Sequence, residues 1–159
     1  KEVWRMDVKY INPFFDAFLN VMPELGINDI KRGKISLRGK TIQSLGVLVI
    51  IGIVGDLKGN IIYETTIEDA KAIASKMMMG APVKELDEMA QSAIEELTNM
   101  LTANASTSFS NEGIRIDIST PTLMYGNFKA SSNADKTICV EMILDGLKFQ
   151  VNVAIEKCK

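Results

Sequence analysis

The chain of 159 residues, 47% apolar and 24% charged, is long enough for one well-cored domain and short for two. Its net charge of -2 supplies no basic field, so nucleic acid is not an expected partner. With no histidine at all, the commonest metal ligand, the usual general base and any Ser-His or Cys-His nucleophile pair are excluded. Cys139 and Cys158 form no CxxC, which argues against a zinc site and for a reduced, cytoplasmic setting. No metal ligand set and no cofactor of its own is therefore expected.

In chain order, residues 1–5 read as upstream or added sequence if Met6 is the start, which leaves 6–159 as a single domain. Asn12-Pro13 has the form of a helix start, and Phe14, Phe15, Phe18, Leu19 and Met22 recur at helical spacing until Pro23 and Gly26. Three extended runs follow, Ile30 to Leu37, Leu45 to Val54 and Gly59 to Glu64, with turns at Gly39 and Gly55-Asp56, predicting an antiparallel meander. The run from Leu45 to Val54 is too short for the roughly 20 residues that cross a bilayer, so no membrane insertion is expected. Lys31, Arg32, Lys34, Arg38 and Lys40 read as the solvated face and ends of the first strand.

Thr66 with Asp69 resembles a capping box for a second helix, whose inner face is Ala70, Ile73, Ala74 and Met77, stopped by Gly80 and Pro82. A third helix is predicted from about Lys84 to Ala105. Strands return over Ile114 to Ile118, Thr122 to Phe128, Thr137 to Leu144 and Leu147 to Ile155, the last two joined by the hairpin signal Asp145-Gly146. Left unpaired, this final apolar hairpin would be an exposed-edge hazard. The order of elements describes an α+β domain, a single antiparallel-rich sheet with helices packed on one face.

On the third helix, Leu86, Ala90, Ala93, Leu97, Met100 and Leu101 gather on a core-facing stripe. Ser92, Glu96, Asn99 and Ala103 fall on the opposite stripe, one turn above another. Glu95 points away from that row, and Asn104 sits toward the apolar side, placed for a structural hydrogen bond. By itself, a Glu and an Asn three residues apart on an outer face are what solubility requires.

The stretch Ser92-x-x-x-Glu96-x-x-Asn99 with Pro121 downstream resembles the signature of the CheC/CheX/FliY phosphatases, although the Asn-to-Pro interval is one residue shorter than the family pattern. Ile11-Asn12-Pro13-Phe14 and Glu96-Leu97-Thr98-Asn99-Met100 continuing to Asn104-Ala105 add to the resemblance. CheC carries two such motifs. Here the first helix has Asn20 but Ala17 where Glu would stand, which points to the CheX branch.

The resemblance implies a hydrolase acting on the aspartyl phosphate of a CheY-like response regulator that brings its own Mg²⁺. It implies that Asn99 positions the attacking water and that Glu96 pairs with the regulator's active-site lysine. Ser92 and Ala103 would be permissive neighbours in the partner-binding row. A homodimer joined through its sheets is implied as well. The alternatives from other classes are a non-catalytic receiver-binding adaptor of a chemotaxis or flagellar-switch system, and a sensory domain with a small apolar ligand in its core.

Overall fold

In the computed structural model residues 2–131 and 136–157 are described, with side chains from residue 9 onward; Cys158 lies outside them. Period-two burial decides the sheet. Strand β3 (Val47–Gly55) sends Val47, Val49, Ile51 and Ile53 into the main core, and β4 (Leu57–Thr65) adds Leu57, Ile61 and Tyr63. The C-terminal hairpin, β8 (Thr137–Leu144) and β9 (Leu147–Lys157), contributes Ile138, Val140, Met142 and Leu144 with Phe149, Val151, Val153 and Ile155. Its two-residue turn holds Asp145 at φ 51° and Gly146 at φ 83°, the left-handed pair that such hairpins need.

These strands belong to one seven-stranded antiparallel sheet, ordered β1-β8-β9-β4-β3-β5, where β1 is Ile30–Arg38 and β5 is Ile116–Ile118. Strand β6 (Thr122–Tyr125) also pairs with β3. The meander expectation therefore holds only for β3 and β4. Strand β1 pairs instead with β8, a partner distant in the chain, and Ile30 and Ile35 pack against the core. The same pairing corrects the edge hazard: β8 lies between β1 and β9, and β9 between β8 and β4.

Between β1 and β3 a short strand, β2 (Thr41–Gln43), leaves the sheet and pairs with β7 (Lys129–Ser131). The run expected as one strand from Thr122 to Phe128 is broken at Gly126 (φ 123°) to make this ribbon. Ile42 on the ribbon covers Leu48 and Ile62 on the sheet face away from the helices.

Helix α1 (Glu2–Val21) runs straight through Pro13. The expected start at Asn12 is thus a helix interior, where proline costs about 3 kcal/mol. Packing outweighs that cost: Tyr10, Ile11, Phe14 and Phe18 are buried, and the Tyr10 and Phe14 rings lie 6.4 and 5.9 Å from that of Phe109. Leu19, which shares their helical spacing, is exposed. Helix α2 (Ile67–Met77) begins as expected, the Asp69 amide donating to Thr66 Oγ1 at 3.0 Å. The Asp69 carboxylate does not complete a capping box; it accepts from the Lys148 amide and ties α2 to β9.

Helix α3 is Glu88–Asn111, later at both ends than expected. Asp87 starts it by accepting from the Ala90 amide at 2.9 Å, and burial of Phe109 carries it through the serine- and threonine-rich end. All three helices pack on one face of the sheet, as expected. Among the described residues, no helix is long and apolar enough to cross a membrane.

Candidate functional site

The buried side of α3 is Ala90, Ile94, Leu97, Thr98, Leu101, Thr102, Ala105 and Phe109. Ala93 and Met100, expected in the core stripe, are half-buried at its margin, and Leu86 precedes the helix. Two threonines fit the core because their hydroxyls are satisfied locally: Thr98 donates to the Glu95 carbonyl at 2.9 Å, and Thr102 to the Thr98 carbonyl at 2.7 Å. Thr102 has then spent its hydrogen, so the Tyr63 hydroxyl donates to it at 2.8 Å and pins α3 to β4.

That seating turns Ser92, Glu96 and Ala103 into solvent and leaves Asn99 half-exposed. Ser92, Glu96 and Asn99 line one open cleft together with Glu95, Thr120 and Pro121. Pro121 therefore meets the helix row despite the shortened interval in the chain. Ala103 lies one turn beyond Asn99, outside that lining. Glu95 corrects the expectation that it points away: it is half-buried on the cleft wall, because the Thr120–Pro121 loop approaches α3 on that side. Asn104 makes the structural bond expected of it, accepting from Asn20 Nδ2 on α1 at 3.0 Å.

The far wall is held by a device that sequence patterning does not reveal. The Gly52 amide donates to Ser119 Oγ at 2.7 Å, and the Ser119 hydroxyl donates to the Thr120 carbonyl at 3.1 Å. In the backbone, the Ser119 amide donates to the Gly52 carbonyl at 2.9 Å. Gly52 makes room for this: a Cβ there would sit 3.3 Å from Ser119 Oγ. The loop carrying Thr120 and Pro121 is thus anchored to the central strand β3.

Among the described residues, neither Glu96 nor Asn99 has a side-chain hydrogen bond or ion pair with the rest of the chain. One amide, able to accept and donate at once, and one acceptor-only carboxylate stand a turn apart with free valences. The cleft is open and borders a convex helix, a shape suited to entering another macromolecule's pocket rather than enclosing a small molecule. No three His, Cys, Asp or Glu side chains converge as a metal site among the described residues.

A second polar cluster, missed from sequence, lies on the sheet face away from the helices. Glu64 Oε2 accepts from Arg38 Nη1 at 3.0 Å and from Asn152 Nδ2 at 2.7 Å, and Arg38 Nη2 donates to Gln150 Oε1 at 2.7 Å. Arg38 is therefore not a solvated strand end. Burial raises the Glu64 carboxyl above its ordinary value, opposed by the bonds from Asn152 and Arg38. Burial likewise raises the Cys139 thiol beside Arg38, which makes it a poor nucleophile.

Comparison with known proteins places the chain in a family. The family model described as chemotaxis phosphatase CheX matches residues 47–144. The CheY-P phosphatase CheX of Thermotoga maritima is 33% identical over 122 residues, covering 76% of this chain and 78% of that protein. The crystal structure of a CheX-CheY-BeF3-Mg²⁺ complex from Borrelia burgdorferi superposes with TM-score 0.79 at 31% identity, over 93% of this chain and 98% of that one. A CheC-like superfamily protein from a Shewanella species superposes with TM-score 0.82 at 28% identity, over 94% and 98% of the two chains.

Proposed function

This chain belongs to the chemotaxis phosphatase CheX family, and we propose that it hydrolyses the aspartyl phosphate of a CheY-like receiver with Glu96 and Asn99 as its working pair. The observation that carries the reading is an exposed carboxylate and a half-exposed amide, a turn apart on α3 beside Pro121, neither with a side-chain partner among the described residues. In this reading the pair acts when a second protein closes over it.

In the reaction, water attacks phosphorus, the bond from phosphorus to the aspartyl oxygen breaks, and a carboxylate and inorganic phosphate leave. Phosphoryl transfer of this type depends mainly on positioning and electrostatics. The receiver is expected to bring Mg²⁺, which offsets charge on the phosphoryl oxygens; a complex of the Borrelia relatives was solved with that ion and beryllofluoride. Asn99 supplies the missing alignment: its carbonyl accepts from the water and its NH₂ donates to a phosphoryl or neighbouring oxygen. Glu96 is a docking carboxylate, pairing with a cation of the receiver's pocket, and its contribution grows as the closed complex excludes water. Ser92 and Ala103 are small enough to let the receiver approach α3, and Thr120 and Pro121 brace the opposite wall.

The protein works in the cytoplasm, where such receivers are phosphorylated. We propose further that it forms a homodimer through its sheet. Support comes from β1, whose outer edge is unpaired among the described residues and exposes Leu37, past the irregularity between Arg32 and Ile35.

The functional test is the lifetime of a phosphorylated CheY-like receiver with Mg²⁺, with and without this protein. Shortening that depends on Asn99 supports the phosphatase. Tight binding with an unchanged lifetime would make the chain an adaptor instead.

A further inference from the structure

The exposed row of α3 does not end at Ser92. Met89 lies one turn earlier and is 69% exposed. It forms one side of a groove completed by Met78, Ala81, Pro82 and Val83 in the connection between α2 and α3. Met79, 97% exposed, stands in that connection on left-handed backbone at φ 59°.

The groove has a fixed shape. Ser75 donates its hydroxyl to the Ala81 carbonyl at 2.7 Å, Lys71 its ammonium to the Lys84 carbonyl at 3.2 Å, and Gln91 its amide to the Leu86 carbonyl at 2.8 Å. Side chains from both flanking helices thus hold a non-helical segment that turns Met79, Ala81 and Pro82 to water, while Met78 and Val83 are half-buried against the core. Lys84, Glu85 and Asp87 complete its lining with charge.

We infer that this groove is the affinity-determining half of the receiver-docking surface, taking up an apolar side chain of the phosphorylated CheY-like partner. The inference rests on the reading of Ser92, Glu96 and Asn99 as the receiver-facing row. That row is small and polar, so it aligns a partner but removes little apolar surface from water. A stable protein interface covers about 800 Å² on each side, a patch of roughly 16 Å radius. Seven residues of helix separate Met89 from Glu96, a distance of about 10 Å along the axis. A body seated over Glu96 and Asn99 therefore also covers Met89. Methionine is enriched at the buried centre of such interfaces, where its flexible thioether fits varied apolar partners.

The test compares the unmodified protein with Met89→Glu, Met89→Leu and Asn99→Ala. Binding is measured with a CheY-like receiver loaded with Mg²⁺ and beryllofluoride, and turnover with the phosphorylated receiver. Met89→Glu is expected to raise both Kd and KM about tenfold with kcat within about twofold, while Met89→Leu stays near the unmodified protein. Thermal unfolding, expected to be unchanged at so exposed a position, excludes misfolding as the cause. Unchanged Kd and KM in Met89→Glu, with Asn99→Ala still losing kcat, overturns the groove assignment alone. If the unmodified protein neither binds nor dephosphorylates the receiver, the phosphatase reading falls and the groove assignment with it.

Discussion

Glu64 has no exposed side-chain surface, yet it faces Arg38 at 3.0 Å and Asn152 at 2.7 Å while its second oxygen has no hydrogen-bond partner among the described residues. Burial raises its carboxyl above the ordinary value of 4.5. The folded state then holds the proton more tightly than the unfolded chain does. Its contribution to stability is full below that ordinary value and is lost as pH rises through the raised one. Replacing it by glutamine removes the titration. In thermal melts from pH 4 to 8, Glu64→Gln should gain on the unmodified protein as pH rises; parallel profiles would contradict a raised carboxyl. Nothing in the local sequence marks Glu64, which reads as the end of an ordinary strand. Helical period makes the outward placement of Glu96 and Asn99 legible, while their candidacy as a site comes from the resemblance to the CheC/CheX/FliY signature. Glu95 was misread for the converse reason: its place on the cleft wall is decided by Thr120 and Pro121, which arrive from a loop more than twenty residues away.

Local chemistry fixed several element boundaries. Thr66 starts α2, the chain turns at Gly80 beyond it, and Asp145-Gly146 makes the β8–β9 hairpin. Boundaries set by packing were not legible. Helix α1 continues through Pro13, and α3 extends to Asn111, because Tyr10 and Phe14 of one meet Phe109 of the other. The partner of β1 is likewise a long-range choice. For α3 a buried polar contact with the sheet is the Tyr63 hydroxyl on Thr102, which lies on the same helix as Glu96 and Asn99. Tyr63→Phe deletes that donor while Thr102 keeps its bond to the Thr98 carbonyl. A loss of about 1 kcal/mol in urea unfolding is expected, the usual net worth of one buried hydrogen bond. An unchanged midpoint would show that the helix is seated by apolar packing alone.

At the scale of the molecule, one antiparallel sheet serves two purposes. Its helical face seats α3 with Glu96 exposed and Asn99 half-exposed, and Gly52 on its central strand anchors the loop that forms the other wall. Its edge at β1, unpaired among the described residues, offers the surface for the proposed dimer. Sedimentation equilibrium should return twice the 17.5 kDa monomer mass, and Leu37→Lys should shift the protein toward monomer. A monomer at all concentrations would remove the dimer and leave the catalytic proposal standing. That proposal depends on Asn99 and is tested most directly by phosphate release from a phosphorylated CheY-like receiver under Mg²⁺, comparing the unmodified protein with Asn99→Ala. The expected result is a fall in kcat of about 100-fold or more in a variant that melts at the same temperature and still binds the receiver. Equal phosphate release by the two proteins would contradict it.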